Sequence, residues 1–127
     1  MRSARILVVE DEFLVRLILA EALTEAGFLV AEADGGVEAL RCLDGPGCFD
    51  LLITDVHMPG PPDGVGVATH ARALCPEMPI VFATARPDSV SEFRDRCELN
   101  AIVAKPYGLE QMLTTVRRIL SAEPDRN

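Results

Sequence analysis

Near its centre the sequence reads Leu51-Leu52-Ile53-Thr54-Asp55-Val56-His57-Met58-Pro59-Gly60. The short apolar run at its start is typical of a strand buried on both faces, as in a parallel sheet. Asp55 then stands at the carboxyl end of that strand, where open α/β sheets bind their ligands. For this stretch alone, a turn or cap aspartate is the plainer interpretation. The rest of the chain has to decide between the two.

The same alternation extends along the whole chain. Strands are predicted over residues 5–10, 28–32, 51–54, 79–83 and 101–104. A helix is predicted after each strand from apolar residues at helical spacing: Leu14, Leu17, Ile18 and Ala22 in the first, Val37, Leu40 and Leu43 in the second, Val67, Ala71 and Leu74 in the third, Val90, Phe93 and Cys97 in the fourth, and Leu109, Met112, Leu113, Val116 and Leu120 in the fifth. The pattern predicts an α/β fold with a parallel sheet covered on both faces.

Length and composition favour one globular domain over residues 1–127, with an ordered core of about 4–121 and a polar tail over 122–127. Hydrophobic residues make up 49% of the chain, which excludes a disordered protein. The apolar runs are too short to span a bilayer, and the N-terminus lacks the apolar core of a signal peptide. We therefore expect a cytoplasmic protein with no membrane partner.

The four cysteines are Cys42, Cys48, Cys75 and Cys97. They form no C-x-x-C pair and have no histidine nearby at metal-ligand spacing. Reduced, mostly buried thiols are therefore predicted, with neither a disulfide nor a zinc site.

The formal net charge of −8 argues against direct nucleic-acid binding, which needs clustered lysine and arginine. Part of the acidity is local, because Glu10, Asp11 and Glu12 are adjacent. Three neighbouring carboxylates repel one another unless a positive charge is held close to them.

Functional side chains follow four of the predicted strands. In a parallel sheet all carboxyl ends lie at one edge, so Glu10-Asp11, Asp55, Thr84 and Lys105 are expected on the same side. Carboxylates suit Mg²⁺, and a carboxylate can act as a nucleophile toward phosphorus. Lys105 and the Thr84 hydroxyl could stabilise the charge on a transferring phosphoryl group. These groups together indicate phosphoryl transfer to Asp55.

The chain resembles the receiver domain of two-component response regulators over essentially its whole length. The resemblance is carried in order by Ile6-Leu7-Val8-Val9-Glu10-Asp11-Glu12, Asp55-Val56-His57-Met58-Pro59-Gly60, Ala83-Thr84-Ala85 and Lys105-Pro106-Tyr107. It implies a flavodoxin-like (βα)5 three-layer sandwich whose five-stranded parallel sheet has the order 2-1-3-4-5.

The resemblance also implies a metal site and a phosphoacceptor. Asp55 would accept the phosphoryl group. Asp11, Asp55 and the main-chain carbonyl of His57 would bind Mg²⁺ directly, and Glu10 would assist through a water molecule.

Two further side chains acquire roles from the same resemblance. Lys105 would contact the phosphoryl group, and its bond to Pro106 would be cis. Thr84 would be the switch hydroxyl that moves onto the phosphate. The sequence departs from the family where Ile102 replaces the usual aromatic residue of the switch.

As a receiver, the chain would take its phosphoryl group from a histidine kinase or a histidine phosphotransfer protein. It would catalyse its own phosphorylation and dephosphorylation and would not be a general turnover enzyme. A downstream protein would bind the fourth helix, fifth strand and fifth helix. The chain would be a stand-alone receiver or a fragment of a longer regulator or hybrid kinase.

Two other classes of protein share parts of this pattern. A haloacid-dehalogenase-like phosphatase also uses a nucleophilic aspartate with Thr, Lys and Mg²⁺, but it usually needs a second aspartate where this chain has His57. A Rossmann-like nucleotide-binding module needs glycines in the first strand-to-helix turn, where this chain has Glu10-Asp11-Glu12.

Overall fold

A computed structural model describes residues 3–87 and 100–122. Its strands are β1 (Arg5–Val9), β2 (Leu29–Ala33), β3 (Leu51–Asp55), β4 (Ile80–Thr84) and β5 (Asn100–Ala104). Its helices are α1 (Phe13–Glu25), α2 (Gly36–Leu43), α3 (Gly64–Leu74) and α4 (Leu109–Ala122). Here α4 is the fifth helix predicted from the sequence. The fourth, with Val90, Phe93 and Cys97, lies outside the described residues.

All neighbouring strands pair in parallel, in the order β2-β1-β3-β4-β5. The predicted flavodoxin-like fold and strand order are therefore confirmed. The chain crosses from one side of β1 to the other between β2 and β3, so the switch point of the sheet lies between β1 and β3. In open α/β sheets the ligand crevice forms outside the carboxyl ends of the strands at this point.

The sheet separates two apolar layers. On one face α2 and α3 pack on alternate strand residues such as Leu7, Leu52 and Phe82. On the other face α1 and α4 pack on residues such as Ile6 and Ile53. Every residue of β3 and β4 is buried, as expected for central strands covered on both sides.

The residues whose spacing predicted α1 are only partly its buried face. Leu14 and Ile18 are 65% and 50% exposed, whereas Leu19, Ala20 and Leu23 are buried. Because α1 is apolar nearly all round, residue spacing could not identify which stripe faces the sheet. Among the described residues, no helix combines the length and apolar character needed to cross a membrane.

The prediction of reduced thiols is wrong for one pair of cysteines. Cys48 and Cys75 form a disulfide with a Cα–Cα distance of 6.2 Å. Cys48 lies in the loop before β3 and Cys75 in the loop before β4. Since β3 and β4 are neighbours, these loops meet at the amino edge of the sheet, a proximity that sequence spacing does not reveal. Within the described ranges, Cys42 is a free, half-buried thiol.

The start of α3 is pressed against the end of β3. A Cβ on Gly64 would overlap the carbonyl oxygen of Asp55 and lie 2.6 Å from the Cα of Val56. The Gly64 N–H donates a hydrogen bond to the Val56 carbonyl at 2.8 Å. A glycine is therefore required for the helix to begin directly behind Asp55.

Replacing Gly64 with alanine is expected to lower the free energy of unfolding by about 1–3 kcal/mol, because backbone atoms of Asp55 or Val56 must move. Urea denaturation measures this change. Gly35→Ala is the control, since a Cβ there meets no atom within 4 Å. Equal stability of the two variants would show that the close approach of α3 to Asp55 does not require a glycine at position 64.

Candidate functional site

Three carboxylates converge at the carboxyl edge of β1 and β3. Glu10 and Asp11 directly follow β1, and Asp55 is the last residue of β3. One carboxylate oxygen from each lies within 4.8 Å of the other two. Glu10 and Asp55 are buried, whereas Asp11 is exposed. An oxygen cluster that is open on one side suits Mg²⁺, which keeps several of its own waters.

Lys105 supplies the positive charge that the sequence led us to expect. Its ammonium Nζ lies 2.9 Å from Glu10 Oε1 and 2.9 Å from Asp55 Oδ2. The residue directly follows β5, two strands away from Asp55 in the sheet. Of the 12 lysine and arginine residues in the chain, Lys105 is the only lysine. That composition was a signal for this site that the sequence analysis did not use.

Burial and ion pairing together shift the pKa values of Glu10 and Lys105. Burial raises the pKa of Glu10 above its ordinary value, although hydrogen bonds from Lys105 and the Glu12 N–H act in the opposite direction. For Lys105, burial alone would lower the pKa, but the bonds to Glu10 and Asp55 outweigh it and raise the pKa. The ammonium therefore stays charged throughout the physiological range.

Backbone N–H groups hold the second oxygen of each buried carboxylate. The His57 N–H donates to Asp55 Oδ1 at 3.2 Å, and the Glu12 N–H donates to Glu10 Oε2 at 3.1 Å. Both oxygens of Asp55 thus have a partner, one from the backbone and one from Lys105. This arrangement fixes the carboxylate plane at the rim of the sheet. The predicted metal contact of the His57 carbonyl stays a prediction.

Thr84 ends β4 at the same edge and is fully buried. Its hydroxyl accepts a hydrogen bond from the Arg86 N–H at 3.0 Å, which is a local turn contact. The Arg86 guanidinium in turn lies 3.4 Å from His57 Nδ1, so the loops after β3 and β4 meet at the rim. Ile102 is half-buried and packs on the α2–α3 side of the sheet.

The segment after β5 forms the wall of the site. The Lys105–Pro106 bond is cis, as the resemblance implied. Beside it lies a groove of about 400 Å³ between α1 and the start of α4. Its lining is largely apolar and includes Val15, Ile18, Ala85, Pro106, Tyr107 and Leu109.

Comparison with known proteins places these features in a family. The family model for the response regulator receiver domain matches residues 6–117. The chain belongs to this family. In this receiver domain the matched region contains β2 to β5, all of β1 except Arg5, and the clustered residues Glu10, Asp11, Asp55 and Lys105.

Curated relatives agree with the assignment. The receiver domain is 40% identical over 122 residues to the response regulator MprA of Mycobacterium ulcerans. The alignment covers 93% of this chain and 50% of MprA. The chain therefore spans about half the length of the curated relatives it matches.

Solved structures give the same result. A response regulator receiver protein from Sinorhizobium medicae is 31% identical, with a TM-score of 0.88 and coverage of 97% of this chain and 98% of that one. The response regulator TrrA from Thermotoga maritima, in complex with Mg²⁺-BeF, is 32% identical, with a TM-score of 0.78 and coverage of 91% and 98%.

Gly64 is the site-forming residue that sequence reasoning missed in this receiver domain. Its lack of a side chain allows α3 to contact the Asp55 backbone. The available signal was an Asp-Gly pair at a helix start a short distance after the candidate nucleophile. Asp63 caps that helix by accepting a hydrogen bond from the Gly66 N–H at 3.0 Å.

Proposed function

We propose that this receiver domain accepts a phosphoryl group on Asp55 from a histidine kinase or a histidine phosphotransfer protein, with Mg²⁺ as cofactor. Phosphorylation would then change its binding to a partner protein. The observation that carries the proposal is the ammonium of Lys105 shared between Asp55 and Glu10 at 2.9 Å each. A structural ion pair would not need a third carboxylate, that of Asp11, open to solvent beside it.

The charge balance of the site explains the need for a metal. Three carboxylates face one ammonium, so an incoming phosphoryl group meets a net negative site. Asp11, Asp55 and the His57 main-chain carbonyl would hold Mg²⁺ directly, and Glu10 would hold it through a water molecule. The cation would neutralise charge on the phosphoryl oxygens. The carboxylate oxygens and their spacing fit a hard divalent cation.

The chain's own groups would orient the transfer. An oxygen of Asp55 forms a bond to phosphorus as the bond from phosphorus to the donor nitrogen breaks, and the phosphoryl group moves onto the carboxylate. The His57 N–H and Lys105 position that carboxylate before reaction. The Lys105 ammonium would then face the transferred phosphoryl oxygens and offset their charge.

Mass spectrometry tests the proposal directly. The protein is incubated with Mg²⁺ and acetyl phosphate, and the intact mass is followed. We expect one phosphoryl adduct, mapped to the peptide that contains Asp55. The adduct should not form when EDTA is present during the incubation. A folded protein that gains no adduct would overturn the proposal. Continuous release of product from p-nitrophenyl phosphate would instead support a general phosphatase.

Mg²⁺ affinity is expected to decrease with falling pH, starting above the ordinary glutamate value of 4.5, because burial raises the pKa of Glu10. A protonated Glu10 no longer offers a negatively charged oxygen to the cation or its water. The Mg²⁺ affinity should therefore drop by up to roughly tenfold per pH unit below that raised pKa. Calorimetric titration with MgCl₂ measures the trend. Glu10→Gln should remove it, and a flat wild-type affinity down to pH 4.5 would contradict it.

We place the phosphodonor protein on α1 and the neighbouring groove. Phe13, Leu14 and Ile18 are exposed apolar residues at or near the end of α1 that adjoins the site. Ile18 also lines the groove next to Lys105. A donor covering this surface could bring its phosphohistidine to Asp55.

Ile18→Asp is expected to slow transfer from a phosphorylated histidine phosphotransfer protein at least about tenfold, because a charge then faces the apolar contact. Acetyl phosphate reaches Asp55 without that contact, so its rate should not change. Equal slowing of the reactions with both phosphodonors would show that Ile18→Asp disturbs the site around Asp55 and not the docking of the donor protein.

The downstream surface that we propose comprises the fourth predicted helix, β5 and α4. Because the chain spans about half of its curated relatives, an output domain of a longer regulator is one candidate for the partner. A cytoplasmic location stays a prediction.

A further inference from the structure

The Cys48–Cys75 disulfide lies at the amino edge of the sheet, opposite the carboxylate cluster. The bond joins the loop before β3 to the residue that follows α3. Its Cα–Cα distance of 6.2 Å is within the range of ordinary disulfides.

The pair is accessible from solvent. Cys48 is exposed and Cys75 is half-buried. A depression of about 390 Å³ is lined by both cysteines together with Phe49, Pro76 and Met78, among others. This volume is in the range of small-molecule sites, so the depression can hold a thiol the size of a tripeptide beside the two cysteines. Exposed disulfides are the ones that exchange readily with external thiols.

The surroundings distinguish the two cysteines. The Arg5 guanidinium donates to the Cys48 carbonyl at 3.3 Å and stacks on the Phe49 ring. This contact holds the Cys48 backbone at the surface. Cys48 is exposed, whereas Cys75 is half-buried directly after α3. The more accessible Cys48 is thus the attacking thiol in the reduced chain, and Cys75 resolves the intermediate.

We propose that Cys48 and Cys75 form a reversible thiol–disulfide site that reacts with low-molecular-weight disulfides and thiols. The Cys48 thiolate attacks the disulfide RSSR and releases one RSH. The Cys75 thiolate then attacks the Cys48 sulfur and releases the second RSH. Two electrons pass from the cysteine sulfurs to RSSR, whose two sulfurs take up the two protons. Excess RSH reverses both steps.

Closing the bond would restrain α3. Its first turn packs behind Asp55 and its last residue precedes Cys75, so the oxidised form holds the helix at both ends. A cross-link between residues 27 apart in sequence also limits the unfolded chain. Reduction should therefore lower the melting temperature by on the order of 10 °C. This inference stands apart from the chemistry at Asp55.

The test equilibrates the folded protein in buffers of increasing reduced-to-oxidised glutathione ratio, followed by alkylation and peptide mass spectrometry. Cys48 and Cys75 should become alkylated together as the ratio increases, and the melting temperature should fall in parallel. Cys48→Ser and Cys75→Ser should melt like the reduced wild type in every buffer. Cys42→Ser is the matched control and should keep the full response.

Three outcomes would overturn the proposal. Alkylation of both cysteines in oxidised glutathione would show that the pair does not close. A bond that stays closed in the folded chain under excess reduced glutathione would be a permanent structural cross-link. A stable glutathione adduct on Cys48 with a free Cys75 thiol would show that Cys75 does not resolve the intermediate.

Discussion

Asp55→Asn is expected to abolish phosphorylation from every donor while the protein stays folded. The amide lacks the charged oxygen that would form the bond to phosphorus, so no adduct should appear with acetyl phosphate or with a phosphorylated partner. The substitution also removes one of three clustered carboxylates and leaves Lys105 paired with Glu10. Stability in the absence of metal should therefore change by less than about 1 kcal/mol.

Two measurements make this result specific. Intact-mass spectrometry measures the adduct. Thermal unfolding with and without MgCl₂ measures the increase in melting temperature that Mg²⁺ causes, which should be smaller in Asp55→Asn. Asp34→Asn is the matched control, because Asp34 is an exposed aspartate just after β2 at the same edge of the sheet. An adduct that persists in Asp55→Asn would assign the acceptor to another residue.

Lys105→Met should reduce the rate of Asp55 phosphorylation by roughly 10²–10³-fold, the cost of losing one charge-stabilising donor in an active site. It should also destabilise the metal-free protein by about 3 kcal/mol, because the Glu10 and Asp55 carboxylates lose their shared counter-ion. Their side chains are only 5% and 10% exposed, so solvent replaces little of that interaction. Mg²⁺ should restore much of the lost stability.

The stability deficit of Lys105→Met should also depend on pH. Lys105 lowers the pKa of Glu10, so its removal raises that pKa further above 4.5. The folded variant then binds a proton that the unfolded chain does not, and its stability rises as the pH falls from neutral toward 4.5. Chemical denaturation across this range measures the effect.

Arg16→Met is the control for Lys105→Met. The Arg16 guanidinium contacts the Glu10 main-chain carbonyl at 2.8 Å, so this variant removes a cation close to Glu10 but away from Asp55. It should retain phosphorylation. Equal rates for wild type and Lys105→Met would remove the lysine from the proposed reaction.

The sequence was sufficient to predict that the candidate site residues meet at one edge of the sheet. Alternating strands and helices require a parallel sheet, and parallel strands bring their carboxyl ends to one edge. Asp55, Glu10 and Lys105, far apart in the chain, were expected to meet for this reason, and they lie within hydrogen-bond distance.

Other features could not be obtained from the sequence for definite physical reasons. The buried face of α1 does not follow from residue spacing, because nearly every stripe of that helix is apolar. The Cys48–Cys75 bond depends on two loops meeting in space. The close approach behind Asp55 depends on the missing side chain of Gly64, which a hydrophobic pattern does not register.

Because lysine occurs at a single position, Lys105, an amine-reactive reagent can label the site selectively. Among the side chains of residues 1–127, reagents that acylate or alkylate primary amines find one target, Lys105. While two carboxylates hold that ammonium, it is a poor nucleophile, and it gains reactivity only when those contacts open. The extent of labelling at Lys105 therefore reports the integrity of the cluster, and any cellular acylation of lysine within residues 1–127 would fall on the group beside Asp55.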